Sequence, residues 1–163
     1  MKVPPSDVYA MRSALGLAHS ALVIGDVPVG AVVLSPSGEL IGRGMNRREF
    51  DHDPTAHAEI VAMREAAKKL GNWRLDGCTL VVTLEPCAMC AGAIVGARIQ
   101  RLVFGAFDPK AGAVGSLWDL ARDRRLNHQP EVTAGVLAEE SSRILKDFFA
   151  TQRSQQIEDG YLQ

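Results

Sequence analysis

Two short stretches carry side chains that could do chemistry together: Thr55-Ala56-His57-Ala58-Glu59 and Glu85-Pro86-Cys87-Ala88-Met89-Cys90. The first places a histidine two residues before a glutamate, and the second places two cysteines three residues apart directly after a proline. One imidazole and two thiolates are borderline and soft ligands. They suit Zn²⁺ and leave its fourth tetrahedral position open. Hydrolytic metal chemistry needs that open position, because a water held there loses a proton near neutral pH. Glu59 adds a carboxylate beside it, sited to move the proton and not to bind the metal. These residues are read as one Zn²⁺ per chain on His57, Cys87 and Cys90, with Glu59 as the catalytic acid–base group.

Each motif alone has a blander reading. A CxxC pair can be a redox dithiol or half of a structural zinc site, and a lone HxE is weaker still. A structural site wants a fourth ligand, and no spare cysteine is well placed. Cys78 precedes an apolar strand and reads as a small buried residue. His52, five residues before His57, reads as a loop residue, and His19 and His128 as ordinary surface or core histidines. A zinc-stabilised binding module without turnover is the non-enzymatic alternative, but such a module gains nothing from Glu59.

The elements that must position these groups follow from patterning. Ser6 is a candidate cap for an amphipathic helix from Asp7 to about Ile24, with Val8, Met11, Leu15, Ala18 and Leu22 at helical spacing. Val29 to Leu34 is a buried-type strand, and Pro36-Ser37-Gly38 turns the chain into a second strand from Leu40 to Asn46. Gly30, Gly42 and Gly44 in this hairpin allow close packing. Thr55 is a candidate cap for a helix running to Leu70 and stopped by Gly71. Thr79 to Leu84 is an apolar strand, and Cys87 opens a short helix to about Ala97. Arg101 to Ala106 and Glu131 to Ala134 read as strands, with a short helical piece near Leu117 to Ala121 between them. Ala138 to Arg153 is a final helix, and the last ten residues look frayed. The order predicts one domain over residues 1–163, a three-layer α/β/α sandwich around a mixed five-stranded sheet with a parallel pair in its second half.

The chain has 163 residues, 47% hydrophobic and 23% charged, with a formal net charge of −1. That balance excludes disorder and gives no global sign of nucleic-acid binding, so any such surface must be local. Residues 98–125 concentrate Arg98, Arg101, Lys110, Arg122, Arg124 and Arg125, a run that could steer a polyanion. Three cysteines, two of them in a CxxC, indicate metal chemistry in a reducing compartment and not a disulfide framework. With no apolar leader and no membrane-length apolar stretch, the expected location is the cytoplasm.

His57-Ala58-Glu59 and Pro86-Cys87-Ala88-Met89-Cys90 together resemble the H-x-E…P-C-x-x-C signature of the zinc nucleobase deaminases. Within them the likeness is to the tRNA adenosine deaminases. Val27 to Val32, Asn46-Arg47, His52 to Ile60, Val82 to Cys87, Cys90 to Ala93, Gly115 to Leu117, Asn127-His128 and Asp147 to Phe149 extend it over roughly residues 8–153. The resemblance implies a cytidine-deaminase-like fold, a homodimer, one Zn²⁺ per subunit, and hydrolytic conversion of the wobble adenosine of a tRNA-Arg anticodon loop to inosine. It also implies that Asn46 hydrogen-bonds the flipped nucleoside and that Glu85 and Pro86 line its pocket. Asp108 would touch the sugar or backbone, and Phe149 and Arg153 would lie near the anticodon loop. Phe107, Pro109, Trp118 and an acidic tail after Arg153 depart from the pattern expected of RNA-acting relatives. A deaminase of a free base or nucleoside, of guanine or cytosine type, is the alternative within enzymes.

Overall fold

The computed structural model describes residues 2–160. Its elements run α1 (Pro5–Val23), β1 (Gly30–Leu34), β2 (Leu40–Met45), α2 (Ala58–Leu70), β3 (Thr79–Leu84), α3 (Ala88–Gly96), β4 (Arg101–Ala106), β5 (Glu131–Ala134) and α4 (Ala138–Glu158). The strands form one five-stranded sheet in the order β2-β1-β3-β4-β5. β1 pairs antiparallel with β2 and β3, while β3–β4 and β4–β5 are parallel. The mixed sheet and its parallel second half are as the patterning predicts.

Alternate strand residues face opposite layers, which explains why these strands read as continuous apolar runs. Ala31, Val33, Leu80, Val82, Leu102 and Phe104 join the cluster with Ala58, Ala62 and Met63 of α2 and Ile94 of α3. Val32, Val81 and Val103 join Met11, Ala14 and Leu15 of α1. Helix α4 lies beside α1, where Glu140 pairs with Arg12. Two helices therefore cover each face.

Glycines set how closely the helices approach. A Cβ at Gly30 would stand 1.9 Å from the Ala14 carbonyl oxygen, and one at Gly44 would stand 2.1 Å from that of Ala58. Only a residue without a side chain allows α1 and α2 to lie so near the hairpin. The small face of α1 follows: Ala10, Ala14, Ala18 and Ala21 are buried, whereas Leu22, expected inside, is exposed.

Four local expectations are corrected. The N-cap of α1 is Pro4, so Ser6 lies inside the first turn. Proline fits there because the first-turn N–H groups have no intrahelical partner to lose. The N-cap of α2 is His57, not Thr55. The Thr55 hydroxyl instead bonds Asp53 at 2.8 Å, closing a turn just before the helix. Leu117–Ala121 forms no helix, because the backbone doubles back through a Val114–Asp119 bridge and the Gly115 N–H bonds the Trp118 carbonyl. Helix α4 continues to Glu158, five residues past the expected end, exposed on all sides beyond Ala150. Residues 161–163 of the expected frayed tail lie outside the described residues.

Candidate metal centre and active site

Both motifs stand at helix starts, as the patterning predicts. His57 caps α2 with extended backbone, φ −72° and ψ 153°, and its carbonyl accepts the first helical bond from Val61. Cys87 caps α3 in the same way, with φ −72° and ψ 176° and its carbonyl accepting from Ala91. Strand β3 carries Cys87 to the carboxyl end of the parallel sheet, where open α/β sheets place their ligands. There the three candidate ligands converge. His57 Nδ1 lies 3.7 Å from Cys87 Sγ and 3.5 Å from Cys90 Sγ. All three ligand atoms fall within 4.8 Å of one another. Among the described residues no fourth ligand joins them, and both Cys78 and His52 lie elsewhere.

The two sulfurs are held in opposite directions although both stand at one helix start. The Cys87 thiol is pulled down to about 3, first by the hydrogen bond from Cys90 and then by His57. Cys90 is pushed up, first by its bond to Cys87 and then by burial. Two touching sulfurs cannot both ionise in a buried site without a cation. A divalent metal supplies that cation, and tetrahedral N₁S₂ donors with one side open fit Zn²⁺.

Glu59 follows His57 by half a helical turn and is 4% exposed. Burial raises its carboxyl to about 7, an effect that the nearby His57 partly offsets. Such a group can both accept and return a proton near neutral pH. It lines, with His57 and Cys87, a cavity of about 630 Å³ at the carboxyl end of the sheet.

Of the other residues named from sequence, Asn46, Glu85, Asp108, Phe149 and Arg153 line this cavity and Pro86 does not. Pro86 is buried, its carbonyl accepting from Ala113. The Asn46 amide oxygen accepts the Arg48 N–H at 3.1 Å, which leaves its N–H donors for a ligand. Glu85 is 2% exposed and its carboxylate is committed to the 108–116 loop. It accepts the N–H groups of Asp108 at 2.9 Å, Val114 at 3.1 Å and Ser116 at 2.9 Å, and the Ser116 hydroxyl. Burial alone would raise Glu85, but these bonds outweigh it and hold the carboxyl below its ordinary value. Asp108 Oδ1 in turn accepts from Lys110 and Ala111 at 3.0 and 3.2 Å. Gly112 closes this loop against Cys87, and a Cβ there would stand 2.4 Å from the Glu85 carboxyl carbon.

The sequence reading missed Ser142, Leu145 and Lys146 on the cavity wall. Leu145 and Lys146 each lie three or four residues from both Ser142 and Phe149, on the α4 face that ends at Arg153. That spacing could have found them once Phe149 and Arg153 were named. Phe149 is 44% exposed while Phe148 is half-buried, so the pair divides as one helix face requires.

Much of the expected basic run 98–125 is engaged internally. Arg101 pairs with buried Asp7, Arg122 with Asp119 at 2.8 Å, Arg125 with Asp123 at 2.6 Å, and Arg98 bonds the Val95 carbonyl. Of that run only Lys110 lines the cavity, where Arg48, Lys146 and Arg153 join it. Trp118 is exposed and does not line the cavity.

Comparison with known proteins agrees with this geometry. The family model of the cytidine and deoxycytidylate deaminase zinc-binding region matches residues 4–106. The tRNA-specific adenosine deaminase of Haemophilus influenzae is 52% identical over 149 residues, spanning 91% of this chain and 86% of that protein. A solved structure from work on A-to-I editing by tRNA:A34 deaminases superposes with a TM-score of 0.81 at 47% identity, covering 84% of this chain and 99% of that one. The guanine deaminase of Nitrosomonas europaea superposes with a TM-score of 0.74 at 30% identity, covering 92% of this chain and 87% of that one. The His57, Cys87 and Cys90 group, placed to hold a metal ion, lies inside the matched residues, and the chain belongs to the zinc-dependent cytidine and deoxycytidylate deaminase family.

Proposed function

We propose that this chain hydrolytically deaminates the wobble adenosine of a tRNA anticodon loop, that of a tRNA-Arg, to inosine. The observation that carries the reading is the rim: the cavity holding Glu59 and the three ligands is bordered by Arg48, Lys110, Lys146 and Arg153 and by exposed Phe149. A free base offers no phosphates to four cations, whereas a splayed RNA loop offers phosphates and bases that stack on aromatic rings. The identity to a tRNA-specific adenosine deaminase supports the same substrate.

His57, Cys87 and Cys90 would hold one Zn²⁺, which when bound supplies a Lewis acid that acidifies water beside the target carbon. Glu59 takes one proton of the attacking water and delivers it to the ring nitrogen, then takes the second proton from the hydroxyl newly bonded to the ring carbon and hands it to the amine as the C–N bond breaks and the carbonyl forms. Adenosine and water thus become inosine and ammonia, and Glu59 returns to its starting state. Asn46 donates its amide N–H to the extruded nucleoside. Phe149 stacks against a base of the loop, and Arg153 and Lys110 meet phosphates. Asp108, its Oδ1 committed to its own turn, presents Oδ2 to the sugar.

The chain acts as one catalytic domain over residues 1–163, in the cytoplasm, as a homodimer. Met89, Leu117 and Trp118 support pairing: they are 37%, 53% and 61% exposed and gather near the start of α3, where the Leu117 and Trp118 N–H groups bond the Gly112 carbonyl. No helix among the described residues is long and apolar enough to cross a membrane.

The deciding experiment incubates the purified protein with tRNA, with the anticodon stem-loop, and with free adenine, guanine and cytosine. Inosine should form at the wobble position of the RNA, with no ammonia from the free bases. Efficient release of ammonia from a free base, with RNA neither edited nor competing, would replace this reading with a small-molecule deaminase.

A further inference from the structure

Asp26 is a charged side chain that neither the metal ligands nor the cavity employs. It follows the end of α1, its N–H bonds the Ala21 carbonyl, and it is 1% exposed. A carboxylate taken from water must find donors. Oδ1 accepts the N–H of Val27 at 3.1 Å. Oδ2 accepts the N–H groups of Glu49 at 3.0 Å and Phe50 at 3.2 Å, 23 and 24 residues along the chain. Those two residues sit in the exposed turn between β2 and α2, where Phe50 is 54% exposed. Asp26 therefore grips a surface turn from the inside.

The preceding N–H of that turn, Arg48, donates to the Asn46 amide oxygen at 3.1 Å. Three successive backbone donors are thus held by two side chains. The consequence falls on Asn46, which is 8% exposed and lines the cavity. An asparagine amide can offer either its oxygen or its nitrogen to a ligand. Here the oxygen is committed to Arg48, and the nitrogen is left for the cavity. That commitment lasts only while the Arg48 N–H stays in place, and its neighbours Glu49 and Phe50 are held in place by Asp26.

We propose that Asp26 is a positioning residue for Asn46. By holding the 48–50 turn it fixes the Asn46 amide with N–H toward the ligand, so the site selects an acceptor atom, a ring nitrogen or a hydroxyl oxygen, at that point. The proposal rests on the reading of Asn46 as a substrate contact. It differs from a general structural role because its effect on turnover passes through a single side chain.

The test has two arms. In the first, Asp26→Asn, Asn46→Ala and the double variant are compared on the anticodon stem-loop, with zinc content measured in each. Asp26→Asn should raise KM about tenfold or more, with kcat within about threefold and zinc unchanged, since binding and not proton transfer is disturbed. On the Asn46→Ala background the same change should alter KM by no more than about twofold, because residues that act as one unit are not additive. Full additivity of the two changes would overturn the proposal. The second arm needs neither turnover nor a folded variant. Hydrogen exchange in the unmutated protein should show the Glu49 and Phe50 amides protected about a hundredfold despite their surface position. Exchange of both at the rate of an unstructured chain would overturn the proposal, whatever the substrate. If the unmutated protein leaves the stem-loop unedited, the RNA reading fails, and protection of these two amides still reports separately on the turn.

Discussion

At the scale of single residues, the centre divides its labour by position relative to a helix start. His57 and Cys87 are caps, so their side chains leave the helix backbone at the point where orphan N–H groups favour negative charge. Cys90 lies in the first turn behind Cys87 and is fully buried. Cys87→Ala removes one of three ligands and leaves Cys90 with no partner in the metal or in the sulfur pair. Elemental analysis of that variant should show no zinc, and its Tm should fall because the metal ties the starts of α2 and α3 together. Full zinc occupancy would remove Cys87 from the ligand set. Glu59 is buried beside the ligands without being one. Glu59→Ala should therefore keep its zinc and its fold while turnover falls at least about 10³-fold, within the range known for general acid–base groups. A loss below about tenfold would assign proton transfer to another group.

At the scale of elements, placement of the centre depends on how closely α2 rides over the hairpin. The Cβ that alanine would add at Gly44 meets the Ala58 carbonyl oxygen at 2.1 Å, one residue from the ligand His57. Backbone atoms cannot swing aside as a flexible side chain can, so α2 itself must move. Gly44→Ala should cost about 1–3 kcal/mol of stability, as overpacking does elsewhere. At about 2–4 °C per kcal/mol for a chain of this size, the drop is visible in a melting curve, and zinc occupancy should fall with it. Gly16→Ala is the control. That position lies in α1 with nothing within 4 Å of an added Cβ. Its helix propensity gain, up to about 1 kcal/mol, should leave Tm unchanged or higher. A Gly44→Ala protein with unchanged Tm and full zinc would show that the close approach is not needed.

At the scale of the whole molecule, a chain of formal charge −1 can bind a polyanion only through a local arrangement of cations. Arg48, Lys110, Lys146 and Arg153 come from the β2–α2 turn, the loop after β4 and the last helix, and meet only at the cavity. The affinity for an anticodon stem-loop should fall with added salt. Replacing Lys110 and Lys146 by glutamine should reduce the log–log slope by about 0.7 for each phosphate no longer neutralised. Replacing Arg122 and Arg125 should leave it unchanged, since their guanidinium groups are engaged with Asp119 and Asp123. The opposite result would put the RNA on the face carrying those two arginines.

The chemistry and the order of the elements were legible along the chain. Ligand types, their spacing and the proline before Cys87 are local facts, and apolar runs of strand length between helical patterns name the layers without any tertiary knowledge. Folding decided which of its possible partners each polar group takes. Thr55 has the side chain of a helix cap, yet it bonds Asp53 and leaves the cap to His57. Glu85 reads as a pocket residue, yet its four hydrogen bonds go to a loop 23 to 31 residues away. Arg101 reads as part of a free basic run until Asp7, 94 residues away, is found beside it. Asp26 carried no signal at all, since a carboxylate after a helix end looks like any turn residue until folding buries it under Glu49 and Phe50. Short-range propensity fixes what a residue can do, but a hydrogen-bonding group in a folded chain goes to whichever partner the fold brings within about 3 Å, and that partner is invisible along the sequence.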